Sequence, residues 1–138
     1  MLILPTSPSL GALILRLGLG IMFLAHGLLK LLVFTPAGTA GFFQSVGLPG
    51  FLGPLVMAAE IVGGLAIIAG LAGRYVSAAL IPVLLGSIVT VHGANGWQFG
   101  ATGGGWEYPA FLAVAALAHV VIGDGAYAIG RFIFRGQR

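Results

Sequence analysis

Four long apolar runs, separated by segments rich in glycine, proline and polar residues, set the pattern of this chain. The first covers about residues 10–34 and follows Pro5, Pro8 and Ser9, the last a residue type that caps helix N-termini. The others cover about residues 51–72, 75–93 and 107–130. Each is close to the ~20 residues an α-helix needs to cross the hydrocarbon of a bilayer. The pattern therefore predicts an all-α, integral membrane four-helix bundle that forms a single transmembrane domain over residues 1–138. The turn at Gly73-Arg74 is so short that the second and third spans must be antiparallel neighbours. The segment 35–50, with Thr35, Pro36, Gly38, Gly41, Gly47, Pro49 and Gly50 around Phe42 and Phe43, reads as a loop, as does the glycine-rich stretch 94–105. The N-terminal MLILPTSPS carries no basic segment, so no cleaved signal peptide is expected.

Composition supports the membrane reading. Hydrophobic residues make up 59% of the chain and charged residues 7%, against about a quarter charged in soluble domains. The absence of cysteine excludes disulfides, thiol catalysis, iron–sulfur ligation and cysteine-based zinc sites. An isoelectric point near 10.0 rests on six Lys and Arg, of which Arg131, Arg135 and Arg138 form a C-terminal tail. Such arginines beside a membrane helix fix topology and touch anionic lipid, and no nucleic-acid partner is expected. Gly103-Gly104-Gly105 lacks the Lys-Ser/Thr of a phosphate loop and follows no strand. With four spans, the N-terminus, the Arg74 turn and the basic tail share one side, and the two long connections carry no Lys or Arg. The positive-inside bias then predicts an N-in/C-in topology, with Trp97, Trp106 and Tyr108 at the outer interface.

Small residues have a specific use in lipid, where they let helix backbones approach closely. Gly18, Gly20, Gly63, Gly64, Gly70, Gly123 and Gly125 all fall within the spans and are read as packing positions. Pro82 is expected to kink the third span.

The ionisable residues inside these runs carry the chemistry, because an unpaired charge in hydrocarbon costs at least a few kcal/mol. At 1.5 Å rise per residue, Arg16 and Asp124 both lie roughly 10 Å from the inner ends of their helices. That match makes them a candidate structural ion pair between spans one and four. On the same ruler His119 lies about a turn and a half deeper than Asp124. Towards the outer side, His26 and Lys30 share a face of span one at a spacing of four. Glu60 is level with them on span two, flanked by Ala58, Ala59, Gly63 and Gly64. His92 and Glu107 stand at the outer rims of spans three and four. His26, Lys30, Glu60, His92 and Glu107 are therefore expected to line one outward-facing pocket for a ligand or proton. No metal set and no individual catalytic residue can be assigned among them.

Several of these residues also sit in recognisable motifs. RLGLGIMFLAHGLLKL, from Arg16 to Leu31, resembles the first-helix signature of the DoxX family. Glu60 with Gly63-Gly64, Gly70-Leu71 and Arg74 is similar to its second-helix pattern. His92-Gly93 resembles the end of its third helix, and Trp106-Glu107-Tyr108-Pro109 the opening of its fourth. The resemblance implies a small four-helix protein of the bacterial inner membrane. It also implies a membrane-redox setting, since some relatives are subunits of a thiosulfate:quinone oxidoreductase and many others carry an oxidoreductase label with no established reaction.

Within that setting a quinone headgroup is the ligand that the polar ring suggests. His26 and His92 would donate to its carbonyls, Glu60 would pass protons, and Lys30 would stabilise negative charge on the reduced ring. The chain shows no flavin fingerprint, no cysteine and no evident metal set, so its electrons would come from a soluble or membrane redox partner. That makes an accessory subunit a better description than a self-sufficient enzyme, and no covalently bound cofactor is implied. Haem between two histidines is disfavoured, because His26 and His92 differ in height and glycine-rich helices leave little room for a porphyrin. Two other readings stand beside the redox one: a non-catalytic scaffold docking proteins through the basic tail, and a binding or carrier protein for a small lipophilic molecule. The glycine faces also allow a homo-oligomer, and no inverted repeat marks a transporter.

Overall fold

A computed structural model describes residues 7–134. Pro5 and the tail residues Arg135 and Arg138 lie outside the described residues. Among the described residues every regular element is helical. Helix α1 spans Pro8–Leu32; Ser7 rather than Ser9 caps it, its hydroxyl accepting from the Leu10 N–H at 3.4 Å. Pro8 suits the first helical turn, where its missing N–H leaves no bond unmade.

The first long connection is not a loop. Thr35–Ser45 forms a helix, α2, opened by Pro36 and by Thr35 Oγ1, which accepts from the Gly38 N–H at 3.2 Å. Glycine and proline content hid it. The helix is held by the surface beneath it, since Gly53 presents no side chain where the Thr39 backbone passes. A Cβ on Gly53 would lie 2.9 Å from the Thr39 carbonyl.

Helix α3 spans Leu52–Ala69 and ends at Gly70, whose φ of +68° makes the left-handed turn that stops a helix. After this tight connection α4 runs antiparallel over Gly73–Ser87, passing through Pro82, and continues as a π-helical turn, Ile88–His92, and a 3-10 turn, Gly93–Asn95. Helix α5 spans Glu107–Ile122, and a short α6 covers Gly130–Phe134.

The fourth apolar run, expected over 107–130, is thus divided. Gly123 has φ +85° and ends α5. The chain then crosses beneath the bundle, with the N–H groups of Ala126, Ile129 and Gly130 donating to the carbonyls of Ser9, Ala69 and Gly70 at 3.0, 3.0 and 3.1 Å. Carbonyls left over at the C-terminal end of α3 are satisfied by this crossing segment, which also ties down the first turn of α1.

Three helices are long and apolar enough to cross a membrane: Pro8–Leu32, Leu52–Ala69 and Gly73–Asn95. Glu107–Ile122 is apolar but shorter, at 16 residues. Their outward faces carry Ile14, Ile21, Val62, Val89, Phe111 and Val121, all exposed, with Val89 at 83%. So continuous an apolar exterior is a surface for lipid. Inside, Leu19, Phe23, Ile67, Leu80, Leu84, Leu112 and Ala116 form the core.

The closest helix contact is α1 against α3. A Cβ on Gly64 would lie 2.6 Å from the Leu24 nitrogen and 2.8 Å from the Gly20 carbonyl oxygen, and one on Gly27 would meet Ile61 and the Glu60 Cβ. Gly18, by contrast, faces open space and packs against nothing. Because the obstacles at Gly64 are backbone atoms, Gly64→Ala must push the helices apart. Its expected cost is about 1–3 kcal/mol; Gly18→Ala should be neutral or slightly stabilising. Thermal unfolding of both variants in detergent checks the contrast.

Candidate functional site

Above the core the helices diverge around a cavity of about 820 Å³, walled by α1, α2 and α3, by α4 with its π-helical turn, and by the start of α5. Its lining is largely apolar, with Phe23, Phe34, Phe42, Phe43, Leu52 and Leu112 among the contributors. Four of the five sequence-predicted residues line it, namely His26, Lys30, Glu60 and His92.

Lys30 and Glu60 form an ion pair, Nζ to Oε2 at 2.7 Å, with the two side chains 20% and 6% exposed. The glycine contact explains how they meet. Gly27 lets α3 approach at the level of Glu60, and a helical side chain leans back towards its own N-terminus, returning the Lys30 amine to that level.

The two imidazoles share an arrangement. His26 Nδ1 lies 2.8 Å from the Met22 carbonyl oxygen, and His92 Nδ1 lies 2.9 Å from that of Gly104. A carbonyl can only accept, so in each neutral ring Nδ1 carries the proton and donates, leaving Nε2 with its lone pair. With Nδ1 so engaged, Nε2 is the ring nitrogen left to each histidine, an acceptor in the neutral ring and a donor in the protonated one.

A further polar group comes from a residue that the sequence reading placed at the membrane interface. Tyr108 lines the cavity, stacks on His26 with ring centroids 5.7 Å apart, and buries a hydroxyl that has no hydrogen-bond partner among the described residues. A buried hydroxyl without a partner is uncommon. Its position one residue after Glu107, at the start of the fourth apolar run, was the available signal, but an aromatic near a helix end is equally well explained as an interface anchor.

Glu107 itself does not line the cavity. Its Oε1 accepts from the Phe99 N–H at 2.7 Å and ties down the loop before α5. The Trp97 and Trp106 rings meet edge to face in the same loop, 4.5 Å apart.

Polar groups at the opposite end of the bundle meet differently from the expectation. Arg16 and Asp124 are in contact, but Arg16 Nη1 donates to the backbone carbonyl of Asp124 at 2.7 Å and not to its carboxylate. Carboxylate Oδ2 accepts from the Gly73 N–H at 3.1 Å. Oδ1 lies 3.1 Å from His119 Nε2, within ion-pair range but without hydrogen-bond alignment. His119 is fully buried, and its Nδ1 shares a 2.8 Å hydrogen bond with Ser77 Oγ. The break at Gly123 accounts for the difference: in a continuous helix Asp124 would have stood a turn and a half from His119, and the reversal brings it back.

Such an apolar-skinned helical bundle, built around a polar-floored cavity, defines a membrane protein. The chain belongs to the DoxX family, whose profile matches residues 11–93. It is 33% identical over 130 residues to "Putative oxidoreductase CatD" of Bacillus subtilis (strain 168), covering 94% of this chain and 92% of that protein. It is also 38% identical over 66 residues to "Inner membrane protein YqjF" of Escherichia coli (strain K12), covering 48% of this chain and 49% of that protein. No solved structure matches it.

A buried pair is harmed most by losing one member, which strands the other charge. Glu60→Ala should therefore destabilise by on the order of 3 kcal/mol. The double variant Lys30→Met/Glu60→Leu, which removes both charges, should recover most of that loss. Unfolding of the two variants in the same detergent measures the difference.

Proposed function

We propose that the cavity is a headgroup site for a quinone, and that the protein serves as a quinone-interacting or accessory component of a membrane redox system. The observation that carries this reading is that His26, His92 and Tyr108 line one largely apolar cavity together with the ion-paired Lys30 and Glu60. A quinone takes up two electrons and two protons at its carbonyl oxygens. Tyr108 supplies a hydrogen bond to such a carbonyl; on reduction His26 or His92, protonated at Nε2, gives a proton to the ring, and in the reverse direction the neutral Nε2 takes it from a hydroxyl. Glu60, paired with Lys30, places a carboxyl group on the cavity wall that can relay a proton. The phenyl and aliphatic lining takes the ring and the start of an isoprenoid tail. Electrons come from a partner protein, since the residues gathered here carry protons and hydrogen bonds only. The name of the B. subtilis relative supports a redox setting.

In the same reading the chain crosses the bacterial inner membrane four times, with both termini in the cytoplasm. Arg74 and Arg131 lie together at one end of the bundle, which the positive-inside bias assigns to the cytoplasm. The cavity then opens in the outer half of the bilayer. Helix α5 is about 24 Å long at 1.5 Å per residue, somewhat short of the ~30 Å hydrocarbon core.

Tyr108→Phe tests the site with little risk to the fold, because the hydroxyl it removes bonds to nothing within the described protein. Binding of a short-tailed ubiquinone, followed by quenching of tryptophan fluorescence, should weaken about tenfold, the equivalent of one buried hydrogen bond at ~1.4 kcal/mol. Unchanged binding with unchanged stability would contradict the assignment.

A further inference from the structure

The two ends of the bundle are not equally balanced in charge. Around the cavity Lys30 meets Glu60, whereas at the other end Arg16, Arg74 and Arg131 gather about the single carboxylate of Asp124. That carboxylate is already engaged by the Gly73 N–H and His119. Among the described residues no carboxylate pairs with Arg74 or Arg131.

Both of these arginines line a second cavity of about 820 Å³, between the start of α4, the turn after α5 and α6. Arg74 is fixed there, since its Nε and Nη2 both donate to the Val120 carbonyl, at 3.0 and 2.7 Å. This bond holds the guanidinium plane against the end of α5 and leaves Nη1 outside it. Arg131 approaches from α6 and is exposed. The remaining wall is chiefly apolar, with Tyr75, Ile122 and Ala128 among its members, and Tyr75 is 73% exposed.

The geometry points to a binding site for the phosphate of an anionic phospholipid between Arg74 and Arg131. Two guanidinium groups on separate elements, one pre-oriented, make a fork for phosphate oxygens. Basic pockets at the ends of membrane helices hold anionic headgroups in this way. A lipid fits better than a soluble phosphate ester because Ile122, Tyr127 and Ile129 present exposed apolar surface beside the site, where acyl chains would lie. Occupation would brace the segment after Gly123, which closes the ends of α1 and α3. This site is independent of the quinone reading and survives its failure.

The test is native mass spectrometry of the full chain in detergent, titrated with phosphatidylglycerol or phosphatidylcholine. The wild type should retain phosphatidylglycerol preferentially. Arg131→Gln should weaken that retention about fivefold, from about 1 kcal/mol per cation near an anionic lipid, and Arg131→Lys, which keeps the charge but not the fork, should restore it only in part. Arg138→Gln, the same charge change outside the described residues, should have little effect. Equal retention of the two lipids would overturn the proposal, as would equal losses in Arg131→Gln and Arg138→Gln, which would indicate general surface charge. Displacement of the lipid by millimolar inorganic phosphate would overturn the choice of a lipid and indicate a soluble phosphate ligand.

Discussion

Backbone-to-backbone contact between α1 and α3 is the constraint on which the rest of this small bundle depends. Lipid chains are as apolar as leucine, so helices in a membrane gain nothing from hiding apolar side chains and must rely on close packing and polar contacts. Gly20, Gly27 and Gly64 remove the side chains that would keep the two helices apart. The same approach places Glu60 where the Lys30 amine can reach it at 2.7 Å. An ion pair in a low-dielectric setting barely offsets the cost of taking its charges from water. It is therefore weak evidence for stability, and its position in a cavity wall is the more informative fact.

From that contact the molecule separates into two polar ends divided by an apolar middle. Leu19, Phe23, Ile67, Leu80 and Ala116 fill the centre, with the cavity beyond one side and the Arg16–Asp124–His119–Ser77 cluster on the other. The cavity offers a ligand room and a wall that carries both apolar and polar side chains. In the cluster Ser77 and His119 are fully buried and the contacts run among the chain's own groups, which suits a joint that secures the turn after α5.

Much of this was legible in the residue pattern, and the failures have physical causes. The long apolar runs located α1, α3 and α4 well, because lipid imposes the length and composition of a span. Depth reckoning along ideal helices brought His26, Lys30, Glu60 and His92 to one cavity, since those helices are nearly regular up to the π-helical turn. It failed at Asp124, because Gly123 ends the helix and no helical ruler extends past such a turn. It failed for Glu107, whose side chain bonds the preceding loop, a local contact that depth cannot foresee. Helix α2 was missed because glycine and proline argue against a helix in isolation, while its stability comes from packing on Gly53. Tyr108 was overlooked because an aromatic at a membrane rim already has a sufficient explanation.

The central claim is that the cavity beside Lys30 and Glu60 holds a lipophilic redox molecule. The most direct measurement is identification, by mass spectrometry, of what leaves with the protein when it is purified gently from its own membrane. The account predicts a quinone in near-stoichiometric amount, lost from a Glu60→Gln variant that remains folded. A folded wild type carrying phospholipid alone, from membranes rich in quinone, would contradict it.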